Sequence, residues 1–491
     1  MIEKLKKFPF YIILLPVFFV WHGFTENSML LNRTDVALLI AYYTIPSVIL
    51  YILVGLISRN WQKAALFTAA CLTIFFFFGA IFDFLQKHSP FAFFYRYSTL
   101  LIVFTLLLVA LALWLKRTDK SFTKLFLFIN SLLLIYLLID TVSITRSKLF
   151  TGNTFTQPVI HIPDNCKKPD IYLLLYDEYA SSAALQQQYH FHNNLDSFLT
   201  QRGFRVLPGS RGNYNYTHFS MASMLNMDYL PLSQNVYTKG SYFSCFPRIR
   251  ENYVVSFLEA NGYNTTNLSI FDIGKQTAFS DKSFLHIKTT VITENTLLSR
   301  IQRDLPAVLL KVKFLSFLIP ESYSYLASSL QIMERVKNVS ATASTRPRFV
   351  YAHLYMPHWP YYCDRNGNPF PAGQWKDTGS YPAKYLEYLL YTNTQIEKLV
   401  AAIQQNTHNE AVILVMGDHG LRFGKERPYY FPNFNAVYLP DSNYSQFYDT
   451  ITNVNEFRVL FNTLFRQQMP LLKDSTVFLE HSSANWRDEG K

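Results

Sequence analysis

The chain has 491 residues, of which 49% are hydrophobic and 17% aromatic, and its formal net charge is +11 at neutral pH. This length leaves room for more than one domain and for a large buried core. A nucleic-acid-binding function is not expected, because much of the positive charge falls in short loops between apolar segments, where membrane topology accounts for it.

Five apolar segments dominate the first part of the chain. They lie at about residues 8–24, 36–58, 64–86, 97–115 and 122–143. Each is close to the length of about 20 residues that spans the hydrocarbon of a bilayer. The first could be a signal peptide, but no small-residue cleavage site follows it and four more spans do. The sequence therefore predicts a membrane domain of five helices over residues 1–143.

Lysine and arginine are concentrated in one set of the short loops, as is typical of cytoplasmic loops. That set holds Lys4, Lys6, Lys7, Arg59, Lys63, Lys116, Arg117, Lys120 and Lys124, whereas the other holds only Arg33, Lys87 and Arg96. An odd number of spans then carries the rest of the chain across the membrane. We expect a multi-pass protein of a bacterial inner or cell membrane, with its C-terminal part periplasmic or extracellular.

A tether that contains several Thr, Gly152, Pro158 and Pro163 is predicted over residues 144–168, and a soluble catalytic domain over residues 169–491. Short, mostly apolar runs in this domain predict strands. They lie at 170–176, 263–271, 349–355, 411–416 and 434–439, with helical patterns at 182–202 and 383–405. Strands that alternate with helices predict an α/β domain with a mainly parallel sheet.

Side chains that bind metals lie at or near the ends of three predicted strands. They are Asp177, His353, His358, Asp418 and His419. Ligands collect at the carboxyl ends of parallel strands, and carboxylate oxygen and imidazole nitrogen are the atoms that zinc favours in catalytic sites. The sequence therefore predicts a metal site at this edge. Glu178 should point away from Asp177 if the strand continues, and we expect it in solvent or behind the ligands.

A hydroxyl nucleophile is expected between the first and second predicted strands, because a metal in such a site activates a hydroxyl. Residues 213–223 supply Thr217, Ser220 and Ser223. Thr217 is the first of these and the predicted nucleophile, with either serine as the alternative. We expect Ser220 to cap the helix that begins here.

Four sequence elements occur in the order of the sulfatase-like superfamily, which includes the alkaline phosphatases, over about residues 169–440. They are the strand that ends in Asp177, Thr217-x-x-Ser220, His353-x-x-x-Pro357-His358-x-Pro360, and Gly417-Asp418-His419-Gly420. The chain most resembles the membrane-bound branch that contains phosphoethanolamine transferases and lipoteichoic acid synthases. These enzymes also place five helices before an extracytoplasmic domain. The resemblance implies an alkaline-phosphatase/sulfatase-like fold.

The resemblance also implies roles for individual residues. Thr217 corresponds to the nucleophile, and the metal ligands correspond to Asp177, Asp418, His419 and the deprotonated Thr217 oxygen. His358 and His353 correspond to histidines that bind substrate or protonate the leaving group. The imidazole ligand favours zinc, with manganese as the alternative, over calcium. Arg422 would either hold an anionic oxygen or form a surface ion pair.

Two departures from the family patterns bear on the reaction. The formylglycine pattern Cys/Ser-x-Pro-x-Arg is absent at Thr217, which disfavours sulfate-ester hydrolysis, and Asp177 stands where the named transferases usually carry Glu. We expect transfer of a phosphoethanolamine- or phosphoglycerol-type head group from a membrane lipid to an envelope lipid or glycan. The alternatives are a sulfuric-ester hydrolase or phosphodiesterase of the same superfamily, and a catalytically silent envelope binding or assembly protein.

Overall fold

The computed structural model describes residues 2–28, 30–31, 33–150, 161–232, 234–279, 289–304, 325–371, 381–422 and 427–481. Residues 151–160 of the predicted tether lie outside the described residues. The chain forms two compact units. Residues 1–155 and 282–322 make up the first, called the helical unit below, and residues 156–281 and 323–491 make up the second, called the α/β unit.

The N-terminal part of the helical unit consists of helices. They are α1 Ile2–Lys7, α2 Tyr11–Glu26, α3 Arg33–Ser58, α4 Trp61–His88, α5 Tyr97–Arg117 and α6 Thr123–Phe150, with a short 3-10 helix at Ala92–Tyr95. Within the described residues, four helices (α3 to α6) are long and apolar enough to cross a membrane, and α2 is a shorter apolar helix of 16 residues. This is the composition of a membrane protein, and it confirms the five predicted apolar helices.

The remaining elements follow in chain order. They are β1 Ile171–Tyr176, α7 Ser182–Tyr189, α8 Leu195–Gln201, β2 Arg205–Val206, α9 Thr217–Met224, β3 Val236–Tyr237, α10 Lys239–Arg250, α11 Tyr253–Ala260, β4 Asn264–Leu268, α12 Thr290–Thr293, α13 Leu297–Asp304, α14 Tyr325–Ala341, β5 Arg348–Leu354, α15 Ala383–Asn406, β6 Val412–Gly417, a 3-10 helix at Arg427–Tyr430, β7 Asn435–Tyr438, α16 Asn453–Phe465 and β8 Glu480–His481. All belong to the α/β unit except α12 and α13, which belong to the helical unit.

The α/β unit is built on a six-stranded sheet in the order β2-β7-β6-β1-β5-β4. The four strands β6, β1, β5 and β4 run parallel, whereas β7 is antiparallel to β6 and β2 to β7. The prediction of a mainly parallel sheet is confirmed, and β1 lies in its middle. β3 and β8 form a separate parallel pair.

Strand β1 is buried on both faces of the sheet, because helices cover both. Its alternate side chains enter two different cores, as the two-residue period of a strand requires. Leu173 and Leu175 pack in one core with Phe257 of α11, whereas Leu174 packs in the other with Leu399 of α15. The sheet is therefore the buried middle layer of three, and the ends of its strands are rigid places for a site.

Helices α12 and α13 are fixed to the helical unit by polar contacts as well as by packing. The Arg300 guanidinium, whose side chain is 3% exposed, pairs with the Asp83 carboxylate at 2.9 and 2.5 Å. The Gly79 N–H donates to the Asn295 carbonyl at 2.8 Å. A side chain at Gly23 would lie 2.9 Å from Ile292. Residues 289–304 are thus held against the C-terminal parts of α2 and α4.

Candidate metal centre

Three neighbouring parallel strands bring the predicted ligands together. Asp177 follows β1, Asp418 and His419 follow β6, and His353 lies within β5. The register pairs Tyr176 with Gly417 and Leu175 with His353, so these residues share one edge of the sheet. All four of the predicted side chains are 0 or 1% exposed. The parallel sheet therefore brings residues that are far apart in the sequence into a single buried cluster.

The cluster consists of hydrogen-bond acceptors that face each other. Nδ1 of His419 lies 2.8 Å from the Gly420 carbonyl, which can only accept, so Nδ1 carries the proton and Nε2 presents a lone pair. This Nε2 lies 3.2 Å from Oδ2 of Asp418 and 4.0 Å from Oδ1 of Asp177.

One ligand atom from each of these three residues lies within 4.8 Å of the other two. Among the described residues, Oδ2 of Asp418 has no hydrogen-bond partner although it is buried. Buried acceptors that converge, one of them with no hydrogen-bond donor among the described residues, favour a bound cation. Two carboxylates and one imidazole are a donor set that fits a divalent ion of the zinc or manganese type.

The pKa values of Asp177 and His419 also favour a bound cation. Burial, followed by the neighbouring Asp418 carboxylate, raises the pKa of Asp177 to about 8. Burial lowers the pKa of His419 to about 3, so its imidazole is neutral. A bound cation would lower the pKa of Asp177, because it favours the ionised carboxylate.

Thr217 places a hydroxyl at this cluster. Its Oγ1 lies 3.2 Å from Nε2 of His419 and 3.4 Å from Oδ1 of Asp177, to which it donates. Thr217 is the first residue of α9, after Tyr216 at the N-cap. The first N–H groups of a helix have no partner within the helix and favour an anion, so the hydroxyl lies where a phosphoryl or sulfuryl group would be attracted.

Ser220 has another role than the predicted helix cap. The helix already begins at Thr217, so Ser220 lies inside it, and its Oγ donates to the Asp418 carbonyl at 2.6 Å. The prediction of a cap was therefore wrong. The hydroxyl of Ser223 donates to the Asp228 carbonyl at 2.7 Å. Both alternative nucleophiles are thus engaged with backbone carbonyls.

Glu178 and Arg422 form a buried pair beside the cluster. Glu178 is 6% exposed, and its Oε1 accepts from the Arg422 backbone N–H at 2.9 Å and lies 3.5 Å from Arg422 Nε. Of the two places predicted for Glu178, the one behind the candidate ligands is the one that the structure shows. Its backbone is left-handed, with φ of +60°, which breaks the strand alternation. Its own N–H donates to Oδ1 of Asp418 at 3.0 Å.

Both members of this pair are ionised. Burial alone would raise the pKa of Glu178, but His358 and Arg422 outweigh it and lower that pKa. For Arg422 the opposing effect of burial is outweighed by nearby carboxylates, first that of Glu178, which raise its pKa. A permanent guanidinium therefore stands near the candidate metal ligands.

The two predicted histidines lie beside different carboxylates. His353 is 0% exposed, with Nε2 3.5 Å from Oδ2 of Asp177 and Nδ1 3.0 Å from the Tyr351 hydroxyl. Burial lowers the pKa of His353 to about 4, so its imidazole is neutral. His358 lies 3.7 Å from Oε2 of Glu178, and its Nε2 is 2.9 Å from Nη2 of Arg422. His353 therefore lies against the candidate ligand Asp177, whereas His358 lies against the Glu178–Arg422 pair.

The two glycines of Gly417-Asp418-His419-Gly420 are required by close backbone approach. A Cβ at Gly417 would lie 2.6 Å from the Tyr179 carbonyl, and one at Gly420 would collide with the Tyr429 carbonyl. Any side chain at either position would displace the turn that holds Asp418 and His419.

The sulfatase family model matches residues 173–469. No curated protein matches the chain. Among solved structures, the C-terminal periplasmic domain of EcEptC from Escherichia coli in complex with zinc is 10% identical, covering 65% of this chain and 91% of that one with a TM-score of 0.39. Ps i-CgsB in complex with k-i-k-neocarrahexaose is 14% identical, covering 63% and 75% with a TM-score of 0.40. The phosphonate monoester hydrolase of Agrobacterium radiobacter is 10% identical, covering 60% and 73% with a TM-score of 0.38.

Proposed function

The chain belongs to the sulfatase family, and from this premise we propose that it is a metal-dependent membrane enzyme that transfers a phospho-head-group. The group is of the phosphoethanolamine or phosphoglycerol type, the donor is a membrane lipid, and the acceptor is an envelope lipid or glycan. The observation that carries the proposal is the Thr217 hydroxyl, 3.2 Å from His419 Nε2 and 3.4 Å from Asp177 Oδ1.

Four side chains would hold the metal, namely Asp177, Asp418, His419 and Thr217. Zinc fits their nitrogen and oxygen atoms best, with manganese as the alternative. When bound, such an ion lowers the pKa of a hydroxyl and offsets negative charge on phosphoryl oxygens.

In the proposed reaction, the Thr217 hydroxyl loses its proton to solvent and its oxygen attacks the phosphorus of the donor. The new Oγ–P bond forms as the P–O bond to the lipid alcohol breaks, which gives a phosphothreonine. The leaving oxygen takes up a proton, for which His358 is the proposed donor once substrate replaces its contact with Arg422. A hydroxyl of the acceptor then gives its proton to His358 and attacks the phosphothreonine, and the Oγ–P bond breaks, which restores Thr217.

Arg422 is the proposed ligand of the anionic ester. Its guanidinium lies 5.3 Å above the ring of Tyr216, the residue before the nucleophile. Nη2 contacts His358, and Nε has no hydrogen-bond partner among the described residues. The remaining N–H groups can bind two oxygens of one phosphoryl group, which the planar guanidinium does better than an ammonium.

Charge and packing both support a position of the active site outside the cytoplasm. Residues 289–304, which lie in sequence between β4 and α14, pack against the C-terminal parts of α2 and α4. The opposite ends of α2 and α4 lie next in sequence to Lys4, Lys6, Lys7, Arg59 and Lys63. Because cytoplasmic loops carry the excess of positive charge, this supports a position of residues 289–304 outside the cytoplasm. We infer that the catalytic domain, which the α/β unit provides, is periplasmic or extracellular. Attachment to the membrane would give it a high effective concentration of lipid donor.

The test is direct detection of the covalent intermediate. Wild-type protein, Thr217→Ala and the control Thr394→Ala, which changes an exposed hydroxyl on α15, are incubated with zinc or manganese and head-group-labelled bacterial phospholipids. We expect a metal-dependent phospho-head-group adduct on the Thr217 peptide, present in the control and absent from Thr217→Ala.

Other outcomes point to the alternatives. Turnover of a sulfate ester alone would favour a sulfuric-ester hydrolase, and release of the head group to water without an acceptor would favour a phosphodiesterase. Folded, metal-loaded protein that forms no adduct and turns over neither ester would contradict the proposal and favour a silent envelope protein.

A further inference from the structure

Three buried polar side chains converge on the backbone of the turn that carries Asp418 and His419. They come from separate parts of the α/β unit: Ser220 from α9, Asn433 from the segment before β7, and Asn453 from the start of α16. Each is 0 or 1% exposed. Their donors all point to the carbonyls of two successive residues, Gly417 and Asp418.

The Asp418 carbonyl accepts two of these hydrogen bonds. Nδ2 of Asn453 donates to it at 2.9 Å, and Oγ of Ser220 donates at 2.6 Å. Nδ2 of Asn433 donates to the Gly417 carbonyl at 2.5 Å and to Oδ1 of Asn453 at 3.0 Å. The three side chains therefore act as one connected group, with Asn453 in its middle.

This group of side chains holds the backbone that carries the candidate metal ligands. The Asp418 carbonyl belongs to the peptide that joins the two ligand residues Asp418 and His419, so holding it fixes the plane of that peptide and the directions of both side chains. Ser220 lies one helical turn after Thr217 on α9. The same carbonyl thus fixes the nucleophile's helix relative to the ligand turn.

We propose that Asn453, with Asn433 and Ser220, is a positioning residue of the metal centre, which sets metal affinity by orienting Asp418 and His419. The inference rests on the proposed function in assuming that this centre binds a divalent metal. Changes to groups that orient metal ligands typically cost about 10–100-fold in metal affinity. Asn453 itself contacts no metal.

The chain offers a matched control on the same helix. Asn455 is also an asparagine of α16 and is 0% exposed. Its Nδ2 donates to the Leu472 carbonyl at 2.8 Å and to Oδ1 of Asp474 at 3.0 Å. Replacing Asn455 removes the hydrogen bonds of an equally buried side chain, and these bonds do not reach the turn that carries Asp418 and His419.

The experiment compares Asn453→Ala, Asn453→Asp, Ser220→Ala and Asn455→Ala in the full-length protein in detergent. Zinc and manganese affinities are measured by competition with a chromophoric chelator. The absorption spectrum of the cobalt-loaded protein reports ligand geometry, and thermal unfolding of the metal-free protein reports stability. Asn453→Asp preserves the shape of the side chain but replaces the donor with an acceptor, so it tests the hydrogen bonds even if Asn453→Ala fails to fold.

We expect both Asn453 variants to lose about 10–100-fold in metal affinity and to alter the cobalt spectrum. Ser220→Ala should show the same change to a smaller degree. Asn455→Ala should lower the unfolding temperature and leave affinity and spectrum unchanged. If the Asn453 variants keep wild-type affinity, or if affinity falls in Asn455→Ala as much as in Asn453→Asp, the inference is overturned. Wild-type protein that binds none of the three metals would instead overturn the proposed function.

Discussion

Nε2 of His419 lies 3.2 Å from Oγ1 of Thr217, and the opposite ring nitrogen, Nδ1, lies 2.8 Å from the Gly420 carbonyl. The carbonyl fixes the tautomer, so the lone pair of Nε2 is directed at the hydroxyl and at two carboxylates. The imidazole therefore completes a set of three candidate ligands with Asp177 and Asp418.

Replacing Asp418 by asparagine should weaken metal binding but stabilise the metal-free protein. The side-chain amide of Asp418→Asn keeps an oxygen that can accept from the Glu178 N–H, but the change removes a carboxylate that raises the pKa of Asp177. Changes to groups that only orient metal ligands typically cost about 10–100-fold in metal affinity, and we expect a larger loss here. The metal-free protein should become more stable. Unfolding temperatures with and without zinc measure both. Asp449→Asn, at an exposed ion pair, should change neither, and a less stable metal-free Asp418→Asn would contradict the argument.

Metal binding should release a proton. The pKa of Asp177 is about 8 without metal, so at pH 6 to 8 the carboxyl is protonated and the metal must displace its proton. We expect apparent affinity to rise about tenfold per pH unit over this range and to level off above pH 8. Manganese titrations by calorimetry in buffers of different ionisation enthalpy give the number of protons. Asp177→Asn should bind weakly and without the pH dependence of the wild type.

The Arg422 guanidinium should be needed for binding the ester, and Glu178 for placing that guanidinium. A hydrogen bond to a charged group contributes about 1.5–3 kcal/mol, which is about 10–100-fold in kcat/KM. We expect losses of this size in Arg422→Lys and smaller ones in Glu178→Gln. Added guanidinium ion should partly restore Arg422→Ala. Arg205→Lys, in a half-exposed pair with Asp449, is the control, and full activity in Arg422→Lys would remove Arg422 from the mechanism.

The sheet and the positions of the ligands could be predicted because both follow local rules. Apolar runs of strand length gave five strands of the main sheet, and parallel pairing then brings their carboxyl ends to one edge. Asp177, Asp418 and His419 meet there although more than 240 positions separate the first from the other two.

Other features could not be predicted because they depend on a single torsion angle or on tertiary contacts. The Glu178 side chain points inward because Glu178 itself has a left-handed backbone conformation. The alternation of apolar and polar residues in a strand does not predict this. Asn453 begins a helix, where an asparagine normally indicates a cap, but its side chain points to the Asp418 carbonyl. The packing of residues 289–304 in the helical unit depends on the pairing of Arg300 with Asp83, which lies 217 positions away.

The Arg300–Asp83 pair should stabilise the helical unit. The Arg300 side chain is 3% exposed, so Arg300→Ala removes a buried guanidinium from the Asp83 carboxylate. Removing one partner of a buried pair costs about 3–5 kcal/mol, and partial exposure of Asp83 favours the lower end. We expect a clear fall in unfolding temperature in detergent, smaller for the double variant Arg300→Met with Asp83→Asn. Arg250→Ala, at an exposed pair with Glu251, should have little effect, and an equal fall there would contradict the prediction.

Glu456 should make the stability of the α/β unit depend on pH. It is 0% exposed, its Oε2 accepts from Nδ2 of Asn435 at 2.8 Å, and its Oε1 has no hydrogen-bond partner among the described residues. Burial raises the pKa of Glu456 from 4.5 to about 7. Between these values the folded protein keeps a proton that the unfolded chain has lost, so the stability supplied by this carboxyl is present below pH 4.5 and is lost as pH rises to 7.

Glu456→Gln, which mimics the protonated carboxyl, should remove that loss. The slope cannot exceed about 1.4 kcal/mol per pH unit, so the wild type should lose up to about 3 kcal/mol across the window relative to the variant. Thermal unfolding of both proteins at pH 5 and pH 8 measures the difference, with metal bound in each case so that Asp177 stays ionised throughout. If the two proteins respond to pH in parallel, Glu456 is ionised in the folded state, and the hydrogen bond from Asn435 must then be joined by a second donor at Oε1 that stabilises the buried charge.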